Sequence, residues 1–156
     1  EVSRKKAIIE IKRRYDAMPR NFWIDFQSMN EIDQKVALFL VILKTYKICF
    51  DFQINVTMRK WNSISKRVEH EDLMMEFNEI SAKDEFVDSW SEATQKRVAS
   101  AYLTILRKTG MIGKDNSLNP INCSNWSYYI EIGEMWFLEA CLLQPYQIEN
   151  IKKTLL

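Results

Sequence analysis

The chain of 156 residues contains few of the residues that tight turns, phosphate loops and metal sites require. It has three glycines, three prolines and one histidine. All-β sandwiches and nucleotide-binding α/β folds depend on many glycine-rich turns, so this scarcity favours helices joined by short loops. Three glycines also cannot form a phosphate-binding loop, which argues against nucleotide hydrolysis and dinucleotide chemistry.

Cysteines are also few, and no hydrophobic run is long. Cys49, Cys123 and Cys141 are odd in number and widely separated. This pattern is typical of reduced thiols in the cytoplasm and not of a disulfide framework. The longest apolar run, residues 37–43, is far shorter than the ~20 residues of a membrane-spanning helix. The sequence therefore predicts a cytoplasmic protein with no membrane partner.

Catalytic and metal-binding side chains do not occur at any recognisable spacing. His70 lies in an acidic segment without a serine or cysteine motif, and a solvated surface histidine is expected there. One histidine and three scattered cysteines give no zinc spacing. We therefore predict no catalytic residues, no metal and no cofactor, and a protein that is not an enzyme.

Length and composition indicate one helical domain over residues 1–156. Hydrophobic residues make up 47% of the chain and charged residues 28%, which is ordinary for a globular protein. The chain begins with Glu1 and inside a predicted helix, so we expect that some N-terminal residues are missing. The predicted fold class is all-α, a compact helical domain.

Hydrophobic periodicity predicts helices over most of the chain. The first begins after Ser3 as N-cap and ends at Pro19. Its buried stripe would comprise Ile8, Ile11, Tyr15 and Met18. Asn30 indicates the start of a buried central helix, because an acidic residue follows three positions later. Later helices are predicted over residues 69–80, 132–142 and 145–154.

Residues 48–58 fit two patterns. Apolar and polar residues alternate there as in a half-buried strand. At helical spacing, Ile48, Phe52 and Val56 also form one stripe. No hairpin partner of similar quality lies nearby and the surrounding segments are helical, so we expect a helix, with a strand as the alternative.

Charge is distributed unevenly along the chain, although the net charge is only +1. Residues 1–20 hold seven basic and three acidic residues, a net of +4. Residues 69–92 hold nine acidic residues against Lys83 alone, a net of −8. The surface is therefore predicted to be bipolar.

The best indication of a partner is the segment 93–114, which has five basic residues and no acidic one. Ser89 and Glu92 would form a capping box at its start, and Gly110 would end the helix. Its buried face would comprise Val98, Ala101, Tyr102, Ile105 and Leu106. The opposite face of Lys, Arg, Ser and Thr can meet phosphates through charge-assisted hydrogen bonds.

The first helix carries a similar set of cations, so two basic faces are predicted in one domain. Simple solvation, with cations near the C-terminal dipole of the helix, is the alternative for such a face. The predicted DNA-contacting residues are Arg4, Lys5, Lys6, Lys12, Arg13, Arg14, Lys96, Arg97, Arg107, Lys108 and Lys114.

A small hairpin is predicted after the basic helix, over residues 111–121. Met111 and Ile112 would pair with Leu118 across a polar turn. A winged helix-turn-helix has the same order: a helix that ends at a glycine, a short apolar strand, a turn and a second apolar strand. Residues 89–121 are therefore a candidate winged-helix-like subregion.

Three segments of the chain resemble one known family. They are Arg14-Tyr-Asp-Ala-Met-Pro-Arg-Asn-Phe-Trp23, the Phe50-Asp51-Phe52 region, and Trp90-Ser-Glu-Ala-Thr through Leu106-Arg-Lys-Thr-Gly-Met-Ile112. Together they are similar to the BrxA family of BREX (bacteriophage exclusion) systems, which protect bacteria and archaea against phages. The resemblance covers most of residues 7–121.

The resemblance implies an all-helical bundle similar to the antitermination factor NusB. It also implies a non-enzymatic accessory role, with double-stranded DNA and other BREX proteins as partners. We therefore expect a DNA-binding accessory component that contacts duplex DNA mainly through the phosphate backbone. The alternative is a protein-interaction adaptor, in which the acidic segment 69–80 or the aromatic tail docks onto other components of the system.

Overall fold

Helices make up most of the computed structural model, which describes residues 2–156. The prediction of an all-α fold is confirmed. In chain order the helices are α1 (Val2–Asp16), α2 (Arg20–Gln27), α3 (Glu31–Thr45), α4 (Lys47–Phe52), α5 (Met58–Trp61), α6 (His70–Ser81), α7 (Glu85–Asp88), α8 (Glu92–Thr109), α9 (Trp126–Glu131), α10 (Trp136–Ala140) and α11 (Pro145–Thr154).

The helix predicted over residues 48–58 is confirmed, and it contains an irregular turn. A π-helical turn, Gln53–Thr57, joins α4 directly to α5. Both Gln53 and Thr57 are fully buried, at 0% exposure. These two polar residues occupy positions in the core that are usually apolar. The sequence therefore alternates between polar and apolar residues, as a half-buried strand does.

Tyr102 of α8 supplies the hydrogen bonds that these buried groups need. Its hydroxyl donates to Gln53 Oε1 and lies 2.6 Å from Thr57 Oγ1. Gln53 in turn donates from Nε2 to the carbonyl oxygen of Ala140, at 2.5 Å. Satisfied buried networks of this kind rigidify a core. The π-helical turn is thereby fixed to both α8 and α10.

The central helix α3 has the position predicted for it, in contact with α1, α4 and α8. Asn30 caps it as predicted, because Asn30 Oδ1 accepts from the N–H of Asp33 at 2.9 Å. Asp33 also accepts from the N–H of Ser124 at 2.9 Å, which fixes the loop before α9. Burial opposes ionisation of Asp33, but the hydrogen bonds from Ser124 and Asn30 outweigh it and lower its pKa.

The first helix differs most from its prediction. Ser3 lies inside α1 and is not its N-cap, because α1 already includes Val2. Of the predicted buried stripe only Met18 is buried, while Ile8 is 64%, Ile11 66% and Tyr15 49% exposed. The pattern was amphipathic, but only the C-terminal half of α1 reaches the body of the protein.

The C-terminal part contains shorter helices than predicted. Of the helix expected over residues 132–142, only the part that forms α10 (Trp136–Ala140) is helical, because Gly133 adopts a left-handed conformation (φ +82°) between α9 and α10. An unpredicted helix, α9, precedes it. The last helix begins with Pro145 in its first turn, as predicted.

Candidate nucleic-acid interface

The basic helix α8 has well-defined ends. Ser91 is its N-cap, with a hydroxyl that accepts from the N–H of Thr94 at 3.1 Å. Gly110 follows its last residue at φ +82°, as predicted. The N–H of Met111 then donates to the carbonyl oxygen of Leu106 at 3.0 Å, which is the hydrogen bond of a Schellman motif. These contacts fix the length of the helix and the direction of the chain that leaves it.

Two details of α8 differ from the prediction. Ser89 belongs to the end of α7, where its hydroxyl donates to the carbonyl oxygen of Phe86, so it does not cap α8. The buried face is also rotated, because α8 packs against both α3 and α6. Ala101 is exposed, and Val98 and Ile105 are half-buried. The fully buried residues are Ala99, Tyr102, Leu103 and Leu106.

The exposed face of α8 combines cations with small side chains. No acidic residue occurs between positions 93 and 109. Lys96 forms an ion pair with Glu92 at 3.1 Å. Both side chains are more than half exposed, so this ion pair contributes little free energy. The exposed residues of this face are Ala93, Lys96, Arg97, Ser100, Ala101, Thr104, Arg107 and Lys108.

A short hairpin follows α8, over residues 111–119. An antiparallel bridge joins Ile112 to Leu118, as predicted. The N–H of Gly113 donates to the carbonyl oxygen of Ser117 at 3.0 Å across the turn. The hairpin is too short to form a regular sheet, and its apolar residues Ile112 and Leu118 are buried.

A third segment, residues 66–68, pairs with the hairpin, and the sequence did not indicate this pairing. An antiparallel bridge joins Arg67 to Ser117. The N–H of Leu118 donates to the carbonyl oxygen of Lys66 at 2.8 Å. The segment between α5 and α6 therefore lies along the outer strand of the hairpin.

This third segment adds cations to the predicted set. Arg67 lies beside the hairpin, where it forms an ion pair with Glu69 at 3.3 Å. Arg107 of α8 donates to Asn116 Oδ1 at 2.8 Å, which connects the helix to the tip of the hairpin, and Lys114 is exposed there. The residues predicted from the sequence did not include Lys66 and Arg67, although two adjacent cations before Val68 are visible in the sequence.

The order of these elements is that of a winged helix-turn-helix. The helix formed by α4 and α5 is followed by the segment 66–68, then α6, α7 and α8, and then the two segments of the hairpin. In DNA-binding proteins with a helix-turn-helix, the second helix of the motif lies in the major groove. The structure places Lys96, Arg97, Arg107, Lys108 and Lys114 on this helix and its hairpin.

The remaining predicted residues lie on a different helix. Arg4, Lys5, Lys6, Lys12, Arg13 and Arg14 all belong to α1, which packs against α3. Arg13 forms an ion pair with Glu10, at 3.4 Å. Arg14 donates to the hydroxyl of Tyr46 at 3.0 Å and lies over its ring. The predicted cations therefore form two separate groups, and only the group on α8 is joined to the hairpin.

Two other features, a metal-binding cluster and a membrane-spanning helix, were searched for among the residues that the structure describes. No group of three or more His, Cys, Asp or Glu side chains is placed to hold a metal ion among residues 2–156. Among the same residues, no helix has the length and apolar character needed to cross a membrane. His70, expected to be solvated, is half-buried, and its Nε2 lies 3.3 Å from the carbonyl oxygen of Lys96.

The cysteines are buried to different degrees and unreactive in character. Cys49 and Cys141 are buried, Cys123 is half-buried, and all three are free. Burial raises the pKa of Cys49 to about 12 and that of Cys123 to about 12. A thiolate is the nucleophilic form of cysteine, so neither thiol is activated for catalysis.

The fold and surface define an all-α protein with one basic helix, α8, that is followed by a short hairpin. A sequence model of the BrxA family matches residues 1–125. The chain therefore belongs to the BrxA family, which is a family of BREX phage-defence proteins. A comparison with curated proteins gave no match.

Proposed function

We propose that this BREX component is a non-enzymatic DNA-binding protein that contacts the phosphate backbone of duplex DNA through α8 and the hairpin. The observation that carries the proposal is the composition of the exposed face of α8. Arg97, Arg107 and Lys108 are exposed there, and no acidic side chain lies between positions 93 and 109. The three free cysteines agree with a cytoplasmic location.

The shape of α8 supports a close approach to DNA. The major groove is about 12 Å wide and admits one α-helix. Ser100, Ala101 and Thr104 are small and lie in the middle of the exposed face, while cations lie towards both ends. Small side chains allow the helix to lie deep, and lysine or arginine at its ends can reach the phosphates on each side.

The hairpin supplies the second part of the proposed interface. Because Arg107 is bonded to Asn116, movement of the hairpin relative to α8 is restricted. Lys114 at its tip and Lys66 in the neighbouring segment are exposed and extend the positive surface beyond the helix, whereas the charge of Arg67 is offset by its ion pair with Glu69 at 3.3 Å. Asp115 opposes this role, since hydrogen bonds from Ser117 keep its pKa below the usual range and the carboxylate ionised.

A matched pair of double substitutions tests the proposal. Arg97→Ala with Lys108→Ala removes two exposed cations from α8. Lys152→Ala with Lys153→Ala removes two cations from α11, where Lys153 is exposed and Lys152 is half-buried and paired with Glu149 at 3.0 Å. Alanine favours helix, so neither change should unfold its helix. Loss of two phosphate contacts should weaken duplex binding by about 10–100-fold near ~0.1 M salt.

Fluorescence anisotropy with a labelled duplex measures both variants at one salt concentration. The α11 variant should bind within about twofold of the parent protein, although its net charge changes by the same amount. Equal losses in the two variants would mean that net charge and not α8 governs binding. Undetectable binding of the parent protein at low salt would rule the proposal out.

A protein-interaction adaptor remains a second candidate, because the acidic segment 69–88 also exposes large apolar side chains. Met75 on α6 is 67% exposed and Phe86 on α7 is 72% exposed. Exposed apolar side chains among charged ones are common at protein interfaces. Met75→Ser with Phe86→Ser should abolish co-purification with other BREX proteins if this surface is the adaptor site, and leave DNA binding unchanged.

A further inference from the structure

Asn116, at the tip of the hairpin, uses all four of its polar atoms in hydrogen bonds. Its backbone N–H donates to the carbonyl oxygen of Gly113 at 3.1 Å, and its own carbonyl oxygen accepts from the N–H of Val68 at 3.1 Å. Its side-chain amide lies between two charged groups, the guanidinium of Arg107 on α8 and the carboxylate of Glu69 before α6. Three segments that are distant in sequence therefore meet at this one residue.

The backbone conformation at this position also suits asparagine. Asn116 has φ +62°, in the left-handed region that most side chains avoid. Glycine, asparagine and aspartate are the residues that adopt this region most readily. Aspartate and glycine can therefore replace Asn116 and change its side chain with little backbone strain.

The orientation of the amide follows from the chemistry of its two neighbours. A guanidinium can only donate hydrogen bonds, and an ionised carboxylate can only accept them. The carbonyl oxygen Oδ1 therefore accepts from Arg107 at 2.8 Å, and Nδ2 donates to Glu69 Oε2 at 3.0 Å. A neutral group thus separates two opposite charges that would otherwise attract each other.

The two charged neighbours of the amide differ in how far their charge is balanced. Arg67 forms an ion pair with Glu69 Oε1 at 3.3 Å. The backbone N–H of Glu69 also donates to Asp72 Oδ2 at 2.8 Å, which fixes Glu69 at the start of α6. Arg107, by contrast, forms no ion pair with any of residues 2–156. Its guanidinium is held by an amide while its positive charge stays uncompensated.

We propose that Asn116 is a positioning residue for DNA binding, which holds the guanidinium of Arg107 in place for a phosphate contact and keeps it from pairing with Glu69. The role of Asn116 rests on the proposed function, in which Arg107 is one of the cations of α8 that contact DNA. A guanidinium has five N–H donors, so the bond to Asn116 leaves others for a phosphate. A side chain that is already ordered also loses less conformational freedom when it binds.

Two substitutions of Asn116 test the two parts of this role. Asn116→Asp keeps the shape of the side chain but places a carboxylate beside Arg107. It should weaken duplex binding by about 3–10-fold near ~0.1 M salt and reduce the slope of log Kobs against log salt by about 0.9, the value of one phosphate contact. Asn116→Gly removes both side-chain hydrogen bonds and keeps every charge. It should weaken binding by about 2–10-fold and leave the slope unchanged.

A control and a double-mutant cycle separate positioning from other effects. Asn150→Asp makes the same charge change at an exposed position of α11, outside the proposed interface, and should bind within about twofold of the parent protein. Arg107→Ala should weaken binding of the parent protein by about 3–10-fold. In the presence of Asn116→Asp it should change binding by no more than about twofold, because the contact is already lost. Circular dichroism checks that every variant remains folded.

Fluorescence anisotropy with one labelled duplex measures all variants and their salt slopes. Additive losses from Arg107→Ala and Asn116→Asp would show that the two residues act independently and would overturn the proposed role. The role would also be wrong if folded Asn116→Gly bound as tightly as the parent protein, or if Asn116→Asp had no more effect than Asn150→Asp. In each of these outcomes the parent protein still binds DNA, so the proposed function stands. A parent protein that binds no duplex at low salt would contradict the proposed function and the role of Asn116 together.

Discussion

Removal of a single hydroxyl from Tyr102 should destabilise the protein because two buried polar groups then lose their partner. Tyr102 is completely buried on the inner face of α8. Its hydroxyl is bonded to Gln53 Oε1 and to Thr57 Oγ1, both on the π-helical turn. In Tyr102→Phe the ring still fills its space, so the loss is confined to hydrogen bonding.

The magnitude follows from these two bonds. A buried polar atom left without a partner costs about 1–3 kcal/mol, so the two together should cost about 2–6 kcal/mol. For a chain of this size each kcal/mol lowers the melting temperature by about 2–4 °C, which predicts a loss of roughly 4–24 °C. Calorimetry measures the melting temperature, and urea titration measures the free energy of unfolding.

The chain offers a matched control in Tyr129. Its side chain is also fully buried, but its hydroxyl has no hydrogen-bond partner within residues 2–156. Tyr129→Phe removes the same atom and should be neutral or slightly stabilising. Equal destabilisation by the two substitutions would refute the reasoning, because the effect could then not come from the Gln53–Thr57–Tyr102 contacts.

Three further predictions concern other parts of the fold. Gly110→Ala should lower the free energy of unfolding by about 1 kcal/mol or more, because Gly110 has φ +82°. Gly113→Ala should be nearly neutral, because a Cβ atom at that position lies no closer than 3.6 Å to its neighbours. Asp33→Asn should destabilise by about 1.5–3 kcal/mol at neutral pH. Native Cys49 and Cys123 should resist alkylation by iodoacetamide at about pH 8, which mass spectrometry can follow.

The pH dependence of Asp33 has a defined sign. Its pKa in the folded protein lies below the value in the unfolded chain, so its stabilisation is complete above the unfolded pKa of 3.8 and is lost as pH falls through the folded pKa. The difference in stability between the parent protein and Asp33→Asn should therefore shrink below about pH 4. A difference that stays constant down to pH 3 would contradict this explanation. Equal effects of Gly110→Ala and Gly113→Ala would contradict the prediction for the two glycines. Rapid alkylation of the native protein would contradict the prediction for Cys49 and Cys123.

Local signals in the sequence predicted helix ends well. Asn30 caps α3 and Gly110 ends α8, because both effects depend on side-chain and backbone preferences within a few residues. The cap of α8 was placed two residues early at Ser89, since Ser91 offers the same hydroxyl chemistry nearby. Short-range physics is sufficient for such features.

Features that depend on distant contacts could not be predicted in the same way. The exposure of Ile8 and Ile11 on α1 depends on which elements reach that helix, and periodicity alone carries no such information. The burial of Gln53 and Thr57 depends on Tyr102, about 45 residues later in the chain. Pairing of residues 66–68 with the hairpin is likewise a long-range contact.

The candidate interface was predictable in part, for the same reason. The cations of α8 are close in sequence and share one helical face, so their grouping followed from charge and periodicity. Their separation from the cations of α1, and the addition of Lys66 and Arg67, required the folded arrangement.

The salt dependence of duplex binding is the most direct test of DNA binding through α8 and the hairpin. Five phosphate contacts from Lys96, Arg97, Arg107, Lys108 and Lys114 predict a slope of log Kobs against log salt of about −4.5. Arg97→Ala with Lys108→Ala should reduce that slope by about 1.8. A slope near zero, or an unchanged slope in the double variant, would contradict DNA binding by this surface.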